Sequence, residues 1–216
     1  MTSLKIILKL IVCTVLMLMV TVSVQADPLE YFVDRLQSQL RVMVYRDGAM
    51  KWLGHNHVIS HSNIQGKVIR DVLVIENSRF TLDLAVEKFV VDDVHARRIS
   101  GSAFTASIDP EDAIATKKNM FRKEVLDVAN FSHISIQGSI AHVAEQAIAQ
   151  VQVTIKGVSK RYNFPINLRY SDERITARGD FSVKQSDFEI VPFSLMGGML
   201  AVKDTLDISF VLVARR

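Results

Sequence analysis

Three histidines carry the most chemical spacing in the chain: His55, His57 and His61, within Gly54-His55-Asn56-His57-Val58-Ile59-Ser60-His61. On a β-strand, residues two apart point to one face, so a His-x-His pair brings two imidazoles together. Such a pair can chelate Zn²⁺ or another transition metal. His61 shares their parity if the strand runs straight. Two imidazoles make an incomplete site, and no carboxylate lies close to them in sequence. The competing expectation is a pair of histidines hydrogen-bonded at the rim of the fold. A second polar cluster follows: Asp92-Asp93, then His95, Arg97 and Arg98. Its basic residues could hold an anion, but adjacent carboxylates are usually solvated, so an exposed polar loop is expected. Other catalytic templates are absent. There is no Gly-x-Ser-x-Gly elbow, no His-Glu-x-x-His and no glycine-rich phosphate loop. A binding protein rather than an enzyme is expected.

The elements that would position these residues are mostly strands. In Phe80-Thr81-Leu82-Asp83-Leu84-Ala85-Val86-Glu87 the apolar residues take every second place. Tyr162, Phe164, Ile166, Leu168 and Tyr170 alternate with polar neighbours, and so do Leu206, Ile208 and Phe210. Similar patterns run through 40–45, 134–140, 147–155 and 175–183. A period of two places one face on an apolar interior and the other in water, the habit of antiparallel sheets. Asp47-Gly48 is a hairpin signal, and Gly157 and Ser171-Asp172-Glu173 mark two further connections. About eight or nine strands are expected, enough to close a barrel. One helix is expected over about 109–125, capped by Asp109 with Pro110 in its first turn. Ile114, Phe121 and Val125 would face the sheet. Lys117, Lys118, Arg122 and Lys123 would form a solvated face, with docking to an anionic head group or membrane surface as the alternative.

The first residues and the charge balance set the compartment. Lys5 and Lys9 flank and precede an apolar run, Leu10 to Val22, and Val24-Gln25-Ala26 stands ahead of Asp27. That is the plan of a secretory signal peptide cleaved after Ala26. It predicts residues 1–26 as the signal and 27–216 as one exported domain. The single cysteine, Cys13, falls inside the signal, so thiol chemistry and disulfides are excluded from the mature chain. Without Lys5 and Lys9 the 26 basic residues become 24 against 23 acidic ones, a formal charge of +1. A nucleic-acid partner is therefore not expected.

Four segments, in order, resemble the YceI-like family. They are Gly54-His55-Asn56-His57-Val58-Ile59 with Gly66-Lys67-Val68, Phe80-Thr81-Leu82-Asp83, and the run from Met120 through Val125-Leu126-Asp127-Val128-Ala129-Asn130-Phe131 to Ile134-Ser135-Ile136. The last joins Ile155-Lys156-Gly157-Val158-Ser159-Lys160 to Phe181-Ser182-Val183 and Ser186-Asp187-Phe188. Their order and spacing carry the match. Ser132 stands where relatives tend to have proline, Glu189 where they have glycine, and the His55-x-His57 pair belongs to only part of the family.

The resemblance implies an all-β, eight-stranded antiparallel lipocalin-like barrel with the one helix packed on it. It also implies an exported, periplasmic protein that carries or sequesters a long apolar ligand, such as a polyisoprenoid or fatty-acid derivative, in the lumen. The alternative is a His-dependent metalloprotein, or a redox accessory beside a membrane b-type cytochrome, with His55 and His57 as ligands. Lumen candidates are Phe80, Leu82, Leu84, Ile134, Ile136, Phe164, Ile166, Phe181 and Phe210. No cofactor is required beyond a bound isoprenoid or fatty-acyl lipid. Expected partners are an apolar small molecule and, secondarily, a peripheral membrane contact and a homodimer. Met196-Gly197-Gly198-Met199 is expected to be a turn between strands.

Overall fold

The computed structural model describes residues 27–216; the expected export signal lies outside the described residues. The chain runs through β1 (Leu29–Val33), β2 (Gln39–Val44), β3 (Arg46–Asp47), β4 (His57–His61), β5 (Gln65–Arg70), β6 (Arg79–Ala85) and β7 (Val90–Val91). Helices α1 (Val94–Arg98) and α2 (Pro110–Met120) follow. The chain then continues as β8 (His133–Val143), β9 (Gln146–Ile155), β10 (Val158–Tyr170), β11 (Arg174–Lys184), β12 (Ser194–Leu195), β13 (Leu200–Val202) and β14 (Thr205–Arg215).

The short strands are pieces of longer staves. β1 and β2 lie end to end along one edge of β14. β5 and β4 pair with them in turn, and β6 and β7 pair with β5 and β4. These three broken staves and the five continuous strands β8, β9, β10, β11 and β14 form an eight-stranded antiparallel barrel, closed where β14 meets β1 and β2. Closure removes the unpaired edges that an open sheet would expose. The alternation seen in the sequence sets the inside: Phe164, Ile166 and Leu168 of β10 and Leu206, Ile208, Phe210 and Leu212 of β14 pack on the interior cluster.

The β9–β10 hairpin turns at Lys156-Gly157, both at positive φ, which suits the primed two-residue turns that match strand twist. Asp47-Gly48 departs from expectation. It does not close a two-residue hairpin; β3 pairs with β13, in a small sheet with β12. Gly48 has φ +89°, and a Cβ there would lie 2.4 Å from the Met199 carbonyl oxygen. The glycine serves close backbone approach, and the chain then takes a loop to β4. Met196-Gly197-Gly198-Met199 is the turn joining β12 to β13 in that small sheet.

Helix α2 begins as expected: the Asp109 side chain accepts from the Glu111 amide, with Pro110 in the first turn. It ends at Met120 rather than near 125. Ile114 is 69% exposed instead of facing the sheet, whereas Phe121 and Val125 do pack on the interior. The inward row is instead Asp112, Ala115, Thr116, Asn119 and Met120, at helical spacing. Lys117 leaves the solvated face, donating to the Glu87 carbonyl and lying over the Phe121 ring.

Candidate functional site

The inward side chains leave the barrel partly empty. A cavity of about 430 Å³ occupies the end where β8 and β14 begin, and a second of about 110 Å³ lies deeper. Leu40, Leu84, Ile136, Val153 and Phe181 border both and form a waist between them. Of the nine lumen candidates, Leu84, Ile134, Ile136 and Phe181 line the outer cavity. Phe80, Leu82, Phe164, Ile166 and Phe210 line the inner one, whose walls are wholly apolar. At the waist the Phe181 ring stacks on Phe164 with centroids 4.0 Å apart, and Phe210 meets Phe181 nearly edge-on at 6.3 Å. Gly179 makes room for this cluster, since a Cβ there would press on the Phe210 ring at 3.0 Å. A further concavity of about 580 Å³ lies on the outer face of β6, β8, β9 and β10. Thr81, Gln137, Gln152, Arg161 and Asn163 line it, and it gives no apolar enclosure.

The inner end is sealed. Tyr31 is fully buried with Ile175 and Ala214, and its hydroxyl donates toward the Ser171 and Asp172 carbonyls. Arg70 covers it, donating to the Tyr31 hydroxyl and the Asp172 carboxylate and lying 4.7 Å from the Tyr170 ring centroid. The outer end is a mouth. Helix α2, the 53–55 loop and the β12–β13 sheet with Phe193 surround it, and polar groups gather there: Arg46, His55, His57, Asn119 and Lys184.

His57 is held by a network that the sequence reading did not anticipate. Its Nδ1 lies 2.6 Å from Asp92 Oδ2. The other Asp92 oxygen accepts from the Val58 amide at 2.9 Å and from Arg97 at 2.6 Å. Arg97 is fixed further by the Asn56 and Ala106 carbonyls, each 2.8 Å away. The expected exposed polar loop is corrected at two residues: the Asp92 side chain is 1% exposed and that of Arg97 8%, whereas Asp93, His95 and Arg98 are exposed as expected. Asp93 caps α1 by accepting from the Ala96 amide. Burial opposes ionisation of Asp92, but the hydrogen bonds from His57, the Val58 amide and Arg97 outweigh it. The hydrogen bonds hold its carboxyl below the usual carboxylate range.

The other two histidines diverge. The His55 and His57 rings lie edge to face with centroids 6.5 Å apart, both on the mouth. His61 shares the inward parity but is buried against Phe89, with Nε2 on the Ala85 carbonyl. Among the described residues no group of three or more His, Cys, Asp or Glu side chains could hold a metal ion. The carboxylate nearest His57 occupies the second ring nitrogen, a position outside a first coordination shell.

The closed antiparallel barrel with an apolar, partly empty lumen places the chain in the lipocalin-like class of barrels, whose folds suit hydrophobic ligands. Residues 55–214 match the YceI-like domain, so the chain belongs to the YceI-like family. The fold is similar to BcnA of Burkholderia cenocepacia, at 16% identity with TM-score 0.61, over 84% of this chain and 98% of that one. It is also similar to the YceI protein of Campylobacter jejuni, at 10% identity with TM-score 0.50, over 73% of this chain and 84% of that one. No curated protein sequence matches the chain.

Proposed function

We propose that the protein is an exported, periplasmic carrier that shelters one long apolar molecule, an isoprenoid or acyl chain, in its lumen. The observation that carries this reading is the apolar cavity of about 430 Å³, open at one end, with a wholly apolar inner cavity behind the waist. That volume lies in the usual range for small-molecule sites. Each methylene buried there contributes about 0.8 kcal/mol before ordering costs, so an unbranched segment of roughly ten carbons suffices for useful affinity. Non-enzymatic action fits the same geometry, because the walls hold no nucleophile beside a base. The export proposal rests on Lys5, the apolar run to Val22 and the Val24-Gln25-Ala26 site.

Native mass spectrometry of the full chain, expressed with its own N-terminal segment in a Gram-negative host and recovered from the periplasm without detergent or chelator, tests the reading. A mature mass starting at Asp27 plus a prenyl- or acyl-sized adduct is expected. A bare polypeptide that takes up no added lipid, or recovery only from the cytoplasm, overturns it. A metal-sized shift lost on replacing His55 and His57 with alanine would move the assignment to the metalloprotein alternative.

A further inference from the structure

The network around His57 assigns a preference to the mouth that a purely apolar lumen would lack. We propose that His57 Nε2 accepts a hydrogen bond from the terminal hydroxyl of the cargo, making the preferred ligand a long-chain alcohol rather than a bare hydrocarbon, ether or acid. The proposal rests on the carrier reading and adds the head group to it.

The buried Asp92 carboxylate already takes hydrogens from the Val58 amide and from Arg97, and its remaining oxygen faces His57 Nδ1 at 2.6 Å. An ionised carboxylate only accepts, so Nδ1 carries the hydrogen. In the neutral ring Nε2 is then an acceptor. Nε2 has no partner among the described residues and is not closed off by them, while the ring lines the outer cavity. The acceptor therefore opens on the space where a chain end would lie. Arg97, locked by the Asn56 and Ala106 carbonyls, keeps Asp92 in place, and Asp92 fixes both the ring orientation and its tautomer. Arg97 and Asp92 offset each other's charge, so this pair adds no net field at Nε2, and of the side chains on the mouth Arg46 and Lys184 are cationic and Asp112 anionic. A hydroxyl donates to the Nε2 lone pair. An ether has nothing to donate, and a carboxylate meets it lone pair to lone pair.

The test compares 1-dodecanol, 1-methoxydodecane, dodecane and dodecanoate as displacers of the neutral dye N-phenyl-1-naphthylamine from the mature protein. The alcohol should bind roughly 3- to 10-fold more tightly than the methyl ether, the usual net worth of one hydrogen bond. In His57→Leu the alcohol-to-ether ratio should fall to about one, while the ether itself still binds. Asp92→Asn supplies a second reading that keeps the shape. An amide that donates to Nδ1 moves the ring hydrogen to Nε2, and the ether should gain on the alcohol. Equal binding of alcohol and ether by the wild type, tighter binding of dodecanoate, or an unchanged ratio in His57→Leu overturns the head-group assignment alone. Failure of every dodecyl compound to displace the dye overturns the carrier reading, and this one with it.

Discussion

Replacing Phe181 with alanine should lengthen the ligand that the barrel accepts. Phe181 borders both cavities, stacks on Phe164 and meets Phe210 nearly edge-on. A Phe→Ala change in a packed core costs about 3–5 kcal/mol. Here cavities already adjoin the ring, so fewer contacts are lost and about 2–3 kcal/mol is expected, read from urea unfolding. The same deletion merges the outer and inner cavities and opens space for roughly four further methylenes, about 3 kcal/mol of gross burial. Displacement of a neutral dye by straight-chain alcohols of increasing length reads the consequence. In the wild type, affinity should rise with chain length and then level off. In Phe181→Ala the plateau should move to chains roughly four carbons longer, with affinity there about tenfold or more above the wild type. The long alcohol should also return much of the lost stability, about 2.7 kcal/mol at a hundred times its Kd. A folded variant whose plateau stays put, or moves to shorter chains, refutes the reasoning that the waist divides a binding lumen.

Arg97→Leu removes the guanidinium partner of the buried Asp92 carboxylate, leaving it the His57 and Val58 hydrogen bonds, and should cost about 3 kcal/mol in urea unfolding. Asp92→Asn added to that variant should recover part of the loss, and equal stability of the single and double variants would contradict it. Glu189 sits in the left-handed region at φ 57° with its side chain exposed. Glu189→Gly relieves that strain and should raise stability by about 0.5–1 kcal/mol net, despite the added freedom of the unfolded chain; a lower Tm would count against it. Burial favours the neutral ring of His61 and lowers its pKa, opposed by the Ala85 carbonyl and the Asp83 charge. The folded state thus binds fewer protons, and the neutral ring's stabilisation is present above about pH 6.5 and lost as pH falls toward the lower folded value. The stability gap between wild type and His61→Gln should therefore narrow between about pH 7.5 and about pH 5; a constant gap would show that His61 does not titrate this way.

What the sequence disclosed follows from the reach of its signals. Period-two alternation is local, so β6, β8, β9, β10, β11 and β14 could be read directly, and their inward residues with them. Phe80, Phe164 and Phe210 line the lumen because strand parity leaves them no other face. The broken staves were harder. β1 and β7 have five and two residues, too short to show a period, and only their partners, β5 and β14 for the first and β4 for the second, define them. The His57 network was illegible for another reason. Asp92 meets His57 across 35 positions of chain, and a carboxylate pair beside basic residues has the composition of a solvated loop. Position 189 was different again: the left-handed backbone that Glu189 adopts accounts for the glycine that relatives tend to have there, a consequence the sequence reading did not draw.

The two ends of the barrel together give the cargo a direction. Tyr31, Arg70 and Asp172 seal the inner end with hydrogen bonds and an ion pair, so the apolar inner cavity lies between that seal and the waist. The polar residues cluster at the opposite mouth. A chain that entered head first would bring its polar end against the phenyl rings of Phe164, Phe181 and Phe210, where no acceptor or donor compensates its lost hydration. One that enters tail first buries methylenes in the outer cavity as far as the waist and leaves its head beside His57. The energetic asymmetry lies in the walls and is the same for isoprenoid and acyl chains. On the proposed carrier reading the lumen would select by length and width, while the buried Asp92–Arg97 pair, by fixing one imidazole, would select the chemistry of the end that remains at the mouth.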